Sequence, residues 1–485
     1  MGTDALRTAE ADDVTEVIAN RMATYRVDLE RLVQTPSISA PGGDPDAVRR
    51  SAEEVAVLLR ERGADRAELL TVDGAPPAVY AEAAAADPAA PTVLLYAHHD
   101  VQPTGDPAAW SSPPFEPTER GGRLYGRGTA DDKAGVVVHA AALEAWRAVA
   151  GAPPVHVKII VEGEEEVGSP HLGAFLDAHG ERLRADAVVI CDAANWKPGV
   201  PTLTYLLRGL VDAEVEVRAA THALHSGMYG GPVPDPVAGL ARLLSTLTDE
   251  HGAVAIPGFA DDARPLSPAE RERIEALGFD EATFRAEAGL RAGVPLAGDP
   301  DRHPLERLWA EPAVAVIGVD APPVGSASNT IQPTARAKVS VRLAPGQDPE
   351  RARERLCAHL EQAAPWGLET TVTPGAAGAP FTADPEHPAF GAAARALGAA
   401  FGAPTALAGV GGSIPFVEPL VRSLGAGTPV LLTGVADPDS RAHGLDESLD
   451  LDDWQRACVG EALMLGELSA ALGDRADARG GGSAG

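Results

Sequence analysis

Residues 93–100 read VLLYAHHD. Five apolar residues in succession, with no polar alternation, describe a strand buried on both faces. The run then breaks into His98, His99 and Asp100. The same design recurs along the chain. HVKIIVEG (156–163) runs into Glu164, Glu165 and Glu166, ADAVVICD (185–192) closes on Asp192, and PVLLTGV (429–435) leads to His443 in ADPDSRAHG. Helical patterns, with apolar residues three or four apart, occupy about 12–34, 45–63, 388–402 and 452–472. Such alternation predicts an α/β domain, a mostly parallel sheet sandwiched by helices. Ligands of open α/β sheets bind beyond the carboxyl ends of the strands. YGRGTADDKAG (125–135) adds Asp131 and Asp132 just ahead of a further helix, so five segments bring carboxylate or imidazole to one rim.

The middle of the chain has a different rhythm. Strand-like LVDAEVEVRA (210–219), AVAVIGV (313–319), RAKVSVRLAP (336–345) and LETTVTP (368–374) are interleaved with helix-like segments at 235–247 and 348–363. With the polar stretch 255–312 set aside, the order is strand, helix, strand, strand, helix, strand, the split βαβ (ferredoxin-like) pattern. This predicts an α+β domain at 208–379 inserted into a discontinuous first domain, 1–207 and 380–485. The closing RGGGSAG (479–485) reads as a flexible tail.

At 485 residues, the chain is long enough for two or three domains. Forty Lys+Arg against seventy Asp+Glu leave a formal charge of −30. That argues against nucleic acid or an anionic membrane as partner, since phosphate binding needs clustered cations. No run of eighteen apolar residues suggests a membrane span, and the N-terminus lacks a secretory pattern. Three cysteines form no disulfide framework, which fits a reducing compartment, and a cytoplasmic location is expected. Cys191, inside an apolar run, reads as a small buried hydrophobe. The GRG at 126–128 lacks the third glycine and preceding strand of a dinucleotide fingerprint.

Two histidines and three carboxylates, with more acids nearby, suit a pair of divalent transition metals. Without cations, so many gathered carboxylates would repel one another strongly. Two ions about 3.5–4 Å apart can share a water, deprotonate it near neutral pH and polarise a carbonyl. The chemistry expected is metal-assisted hydrolysis.

At these residues the sequence resembles metallopeptidase family 20. These dinuclear enzymes include nonspecific dipeptidases and carnosinase, aminoacylase, succinyl-diaminopimelate desuccinylase and glutamate carboxypeptidases. The resemblance rests on YAHHDVQP (96–103), WSSPPFEP (110–117), LYGRGTADDKAG (124–135), VEGEEEVGS (161–169), LHSGMYGG (224–231), NTIQP (329–333), VRLAP (341–345), GGSIPF (411–416) and AHGLDE (442–447). All nine fall in family order. VQP, the GRG before DDK, and LHSGMYGG favour the dipeptidase branch.

The resemblance implies roles. His98 and Asp192 would hold one metal, Glu166 and His443 the other, and Asp131 would bridge them, followed by Asp132 through a cis peptide. Zn²⁺ is the first expectation for the two ions per subunit, with Mn²⁺ or Co²⁺ also fitting. Asp100 would orient the His98 ring, and Glu165 would be the general base. The inserted domain would serve as lid and dimerisation domain. His225 would reach the partner subunit's active site in a homodimer and stabilise the oxyanion. Asn329, Thr330 and Arg342 would bind the substrate backbone or carboxylate, aided by Gly411, Gly412 and Ser413. The implied substrate is a small peptide; the alternative is an N-acyl-amino-acid or carbamoyl amidohydrolase on the same metals. Two departures bear on that choice. Gly409-Val410 stands where dipeptidases of the family often carry Arg-Glu, and Ala134 replaces a usual glycine. His99 is read as a non-ligand.

Overall fold

The four unbroken apolar runs become the parallel centre of one sheet. The computed structural model describes residues 2–480 except 415 and 426, so residues 481–485 of the expected tail lie outside the described residues. The chain divides into two compact units.

The first unit comprises Met1–Tyr205, Ala383–Ala408 and Ile414–Gly485. Its sheet runs Arg66–Leu70, Ala78–Ala83, His156–Glu162, Thr92–His98, Ala187–Cys191, Val430–Thr433, Thr202–Leu207. Thr92–His98 pairs in parallel with both His156–Glu162 and Ala187–Cys191, and Val430–Thr433 in parallel with Ala187–Cys191. The flanking strands pair antiparallel, so the sheet is mixed rather than mostly parallel. The two outer strands, RAELL and AVYAEA, are too short and too interrupted by acids to stand out in the sequence. Val93, Leu94, Leu95, Tyr96 and Ala97 are fully buried. At ~1.5–3 kcal/mol per large apolar side chain, such a strand holds its position firmly.

Helix Lys133–Ala150 packs between Gly2–Val33 and Leu451–Gly480. It ends at Gly151, whose φ of 77° supplies the left-handed turn at its C-terminus. A small antiparallel sheet of Thr118–Arg120, Arg123–Tyr125 and Ser448–Asp450 joins the segment after His443 to the one before Asp131.

The second unit comprises Leu206–Thr382 and Gly409–Ser413. Its antiparallel sheet runs Ala313–Asp320, Thr334–Leu343, Gly209–Arg218, Glu369–Gly378, the strand order of a split βαβ fold. Val211, Ala213, Val215 and Val217 alternate into a core with Val339, Val341, Leu240, Leu243, Leu356 and Leu360. The intervening Asp212, Glu214 and Glu216 take the opposite face. The polar stretch 255–312 is not featureless. It holds helices Pro268–Ala276, Glu281–Glu287 and Pro304–Ala310, the first started by a Ser267–Glu270 capping box.

Candidate metal centre

Strand ends and turns of the first unit place the candidate ligands. His98 is the last residue of its strand and lies opposite Glu162, the last of the next. Glu165 and Glu166 open a short turn beyond Glu162, Asp192 follows Cys191, and Asp131 precedes helix Lys133–Ala150. His443 adopts φ 63° in the loop after Val430–Thr433.

The geometry is centred on Asp131. Its Oδ1 lies 3.0 Å from His98 Nε2 and its Oδ2 3.0 Å from His443 Nε2. Asp192 Oδ1 is 3.8 Å from His98 Nε2, and Glu166 Oε2 is 3.1 Å from His443 Nε2. Two sets of one imidazole and one carboxylate therefore face different oxygens of a single shared carboxylate. Donor atoms separated like this suit ions bound at about 2.0–2.2 Å, and nitrogen with oxygen is the chemistry of borderline divalent metals. The Asp131–Asp132 peptide is cis. Asp132 Oδ2 accepts the His98 backbone N–H at 3.2 Å, while its Oδ1 is buried without a partner. The residues fit a metal pair.

The electrostatics agree with a site shaped for cations. Burial, then repulsion from Asp192, Glu166 and Asp131, drives Glu165 well above the ordinary carboxylate range. Burial lifts Asp192 to about 6 against the pull of His98. For Asp131 burial acts upward, yet hydrogen bonds from His443 and His98 outweigh it and hold the group low. Asp131 and Glu166 lift His443 to about 10. His99 faces away: its Nε2 donates to the Pro77 carbonyl at 3.0 Å, and burial lowers it to about 4.

Asp100 does more than steady His98. His98 Nδ1 lies 3.1 Å from the Asp100 backbone carbonyl and 3.4 Å from its Oδ1. The carboxylate accepts chiefly from Ser39 Oγ at 2.6 Å and from the backbone N–H groups of Glu165 and Glu166 at 3.2 and 3.1 Å. It thereby fixes the turn that carries both glutamates.

Sequence reasoning missed four supporting residues: Ser39, Gln102, Arg127 and Glu447. Gln102 Nε2 donates to Glu166 Oε2 at 2.9 Å and its backbone N–H to Oε1 at 3.1 Å. Gln102, Arg127 and Glu447 lie inside quoted motifs, but nothing in spacing reveals a hydrogen bond to a backbone amide.

In the second unit, His225 is paired with Thr330 across two short strands, and Ser226 donates its N–H to the Asn329 carbonyl at 2.9 Å. His225 Nδ1 accepts the Gly227 N–H at 3.1 Å, leaving the other ring nitrogen exposed. Arg342 Nη1 donates to Ser413 Oγ at 3.0 Å. Gly412 accepts the Arg208 backbone N–H at 3.2 Å. Among the described residues no hydrogen bond joins the His225 group to the Arg342 group.

The model of Peptidase family M20/M25/M40 matches residues 94–463, well over half the chain and every segment that builds the centre. The chain belongs to this peptidase family. This M20 peptidase is 36% identical over 424 residues to the cysteinylglycine-S-conjugate dipeptidase of Corynebacterium striatum, covering 87% of this chain and 90% of the relative. Its fold matches the di-peptidase Dug1p of Saccharomyces cerevisiae with a TM-score of 0.83 at 25% identity, over 95% of this chain and 98% of that one. It matches human carnosine dipeptidase 1 with a TM-score of 0.81 at 26% identity, over 95% and 99%. The M20 peptidase is a hydrolase with a candidate dinuclear metal site. Among its described residues, no helix is long and apolar enough to cross a membrane.

Proposed function

We propose that this M20 peptidase is a dipeptidase that holds two divalent ions, Zn²⁺ first among them, and cleaves the amide bond of short peptides with a free amino terminus. The observation that carries this reading is the single Asp131 carboxylate set 3.0 Å from each of two imidazoles. His98, Asp192 and Asp131 would hold one ion, and His443, Glu166 and Asp131 the other. When bound, the ions polarise the scissile carbonyl and make water acidic enough to deprotonate near neutral pH.

The chain's own residues do the rest. Glu165, largely buried beside the centre, takes the proton of the attacking water and passes it to the departing amine. Asp100 keeps Glu165 in place through its backbone N–H. His225 and Thr330, paired across two short strands with Asn329 next to them, bind the substrate together with Arg342, Gly412 and Ser413 of another group. The second unit is read as lid and dimerisation domain, with His225 serving the partner subunit's centre, and the location as cytoplasmic.

The test is a metal-replete screen of dipeptides, tripeptides and their N-acetyl forms. Cleavage confined to substrates with a free amino terminus is expected. Activity only on N-acyl amino acids would replace this reading with an amidohydrolase.

A further inference from the structure

Three acids stand in succession beyond strand His156–Glu162, and the peptidase reading gives tasks to two of them, Glu165 and Glu166. Glu164 has none, yet it is buried, only 6% exposed. A buried carboxylate is costly unless donors face it. Glu164 has two, both from His171. Its Oε1 accepts the His171 backbone N–H at 2.9 Å, and its Oε2 lies 2.8 Å from Nδ1 of the ring. An ionised carboxylate only accepts, so Nδ1 carries the proton.

His171 immediately precedes helix Leu172–Leu183, so Glu164 ties the start of the acidic turn to that helix. The segment between needs such a tie. Gly168 adopts φ 85° and Ser169 φ 50°, the left-handed region that a residue other than glycine seldom takes. The Glu164 carbonyl accepts the Ser169 N–H at 3.0 Å and the Glu165 carbonyl the Gly168 N–H at 2.8 Å, closing the turn on itself.

The two working glutamates are not held alike. The Glu166 carboxylate accepts from Gln102 through both its backbone N–H and its Nε2. Among the described residues the Glu165 carboxylate accepts no hydrogen bond. Its position is set by its backbone alone. Asp100 holds that backbone on one side by accepting its N–H, and on the other stands the turn that Glu164 closes.

We propose that Glu164 is a positioning residue: clasped to His171, it fixes the backbone that aims Glu165 at the metal centre, and it governs turnover rather than metal binding. This deepens the peptidase reading and rests on its assignment of Glu165 as the base. A reacting group misplaced by about 1 Å can lose about 10²-fold in rate, whereas Glu166 keeps its own anchors.

Glu164→Ala removes both bonds. In metal-loaded protein, kcat on a cleaved dipeptide is expected to fall by about 10–100-fold, with KM and metal content unchanged. Glu164→Gln should recover most of that turnover, since its Oε1 still accepts the His171 N–H and its NH₂ can donate to Nδ1 in the other tautomer. His171→Ala, which keeps the backbone bond, should show a smaller loss, and it serves if Glu164→Ala fails to fold. The decisive measurement places Glu164→Ala on Glu165→Gln. If Glu164 acts through Glu165, the double variant should match Glu165→Gln within about twofold. The same loss in both backgrounds, or an unchanged kcat with a lowered Tm, would mean that Glu164 only supports the helix, and would overturn the proposal. Crystal structures of metal-loaded wild type and Glu164→Ala read the positioning without turnover. The Glu165 carboxylate should shift or split between conformers while Glu166 stays in place; an unmoved Glu165 sinks the proposal. If wild type cleaves no amide, the peptidase reading fails, and these structures still decide whether Glu164 sets Glu165.

Discussion

The Glu447 carboxylate accepts the backbone N–H of Asp131 at 3.2 Å, although the two residues are 316 positions apart. The same fully buried carboxylate accepts from the N–H groups of Gly128 and Ala130 and from Arg127 Nη1. Arg127 in turn donates to the Gly444 carbonyl, beside His443. Glu447 thus joins the turn that presents the shared carboxylate to the loop that presents His443. A glutamine cannot accept all these donors, because its NH₂ would face them. Glu447→Gln is expected to weaken metal binding by about 10–100-fold, read by competition with a chromogenic chelator. Unchanged affinity would show that the clasp supports the fold without setting the centre.

Glu165 can be tested separately from the ligands. Glu165→Gln preserves shape and removes the proton acceptor. Elemental analysis should still find two metal equivalents, while kcat falls by about 10²–10⁴. A variant that keeps most of its turnover would exclude Glu165 as the base.

His443 is the most exposed of the candidate ligands, at 58%, and it faces Asp131 and Glu166 rather than His98. Its loss should spare the His98–Asp192 set. His443→Ala is expected to fall from two tightly held metal equivalents to one after dialysis against a weak chelator. Retention of both would place the second ion elsewhere. If His225 serves the partner subunit, mixing Glu165→Gln with His225→Ala protein should restore activity; no recovery despite proven subunit exchange would remove that role.

The candidate centre was legible because buried parallel strands need unbroken apolar runs, and three of the four here run directly into a histidine or acid: His98 after YA, Glu162 after IIV and Asp192 after VVIC. His443, by contrast, stands eight residues beyond the fourth. The split βαβ sheet was legible because Val211 to Val217 alternate strictly. The rest had no periodic signal. Strand Arg66–Leu70 is short and half charged, and helix Pro268–Ala276 is polar almost all round. Glu447 acts on backbone amides far away in sequence. Spacing shows which residues share a face, but not which distant main-chain group needs a partner.

A last prediction concerns pH and stability, away from the metal ligands. His139, on helix Lys133–Ala150, is fully buried, with Nδ1 2.7 Å from Glu461 Oε1 and Nε2 3.0 Å from the Tyr96 carbonyl. With Glu461 ionised both partners are acceptors, so both nitrogens carry protons and the ring is an imidazolium. Burial pulls its pKa down, but the charge and hydrogen bond of Glu461 and the Tyr96 carbonyl outweigh it, leaving a raised value. A folded pKa above the unfolded value of about 6.5 means the folded state binds the proton more tightly. The contribution is therefore complete below about pH 6.5 and lost as pH rises through the folded value. His139→Gln should cost about 3–5 kcal/mol at pH 6, because Glu461 is left buried without its cation, and less at pH 9. Urea unfolding of both proteins at the two pH values measures this, with free metal held constant because ligand protonation also shifts with pH. A gap between wild type and variant that stays constant or widens toward pH 9 would show that His139 is held neutral, with Glu461 carrying the proton of the pair.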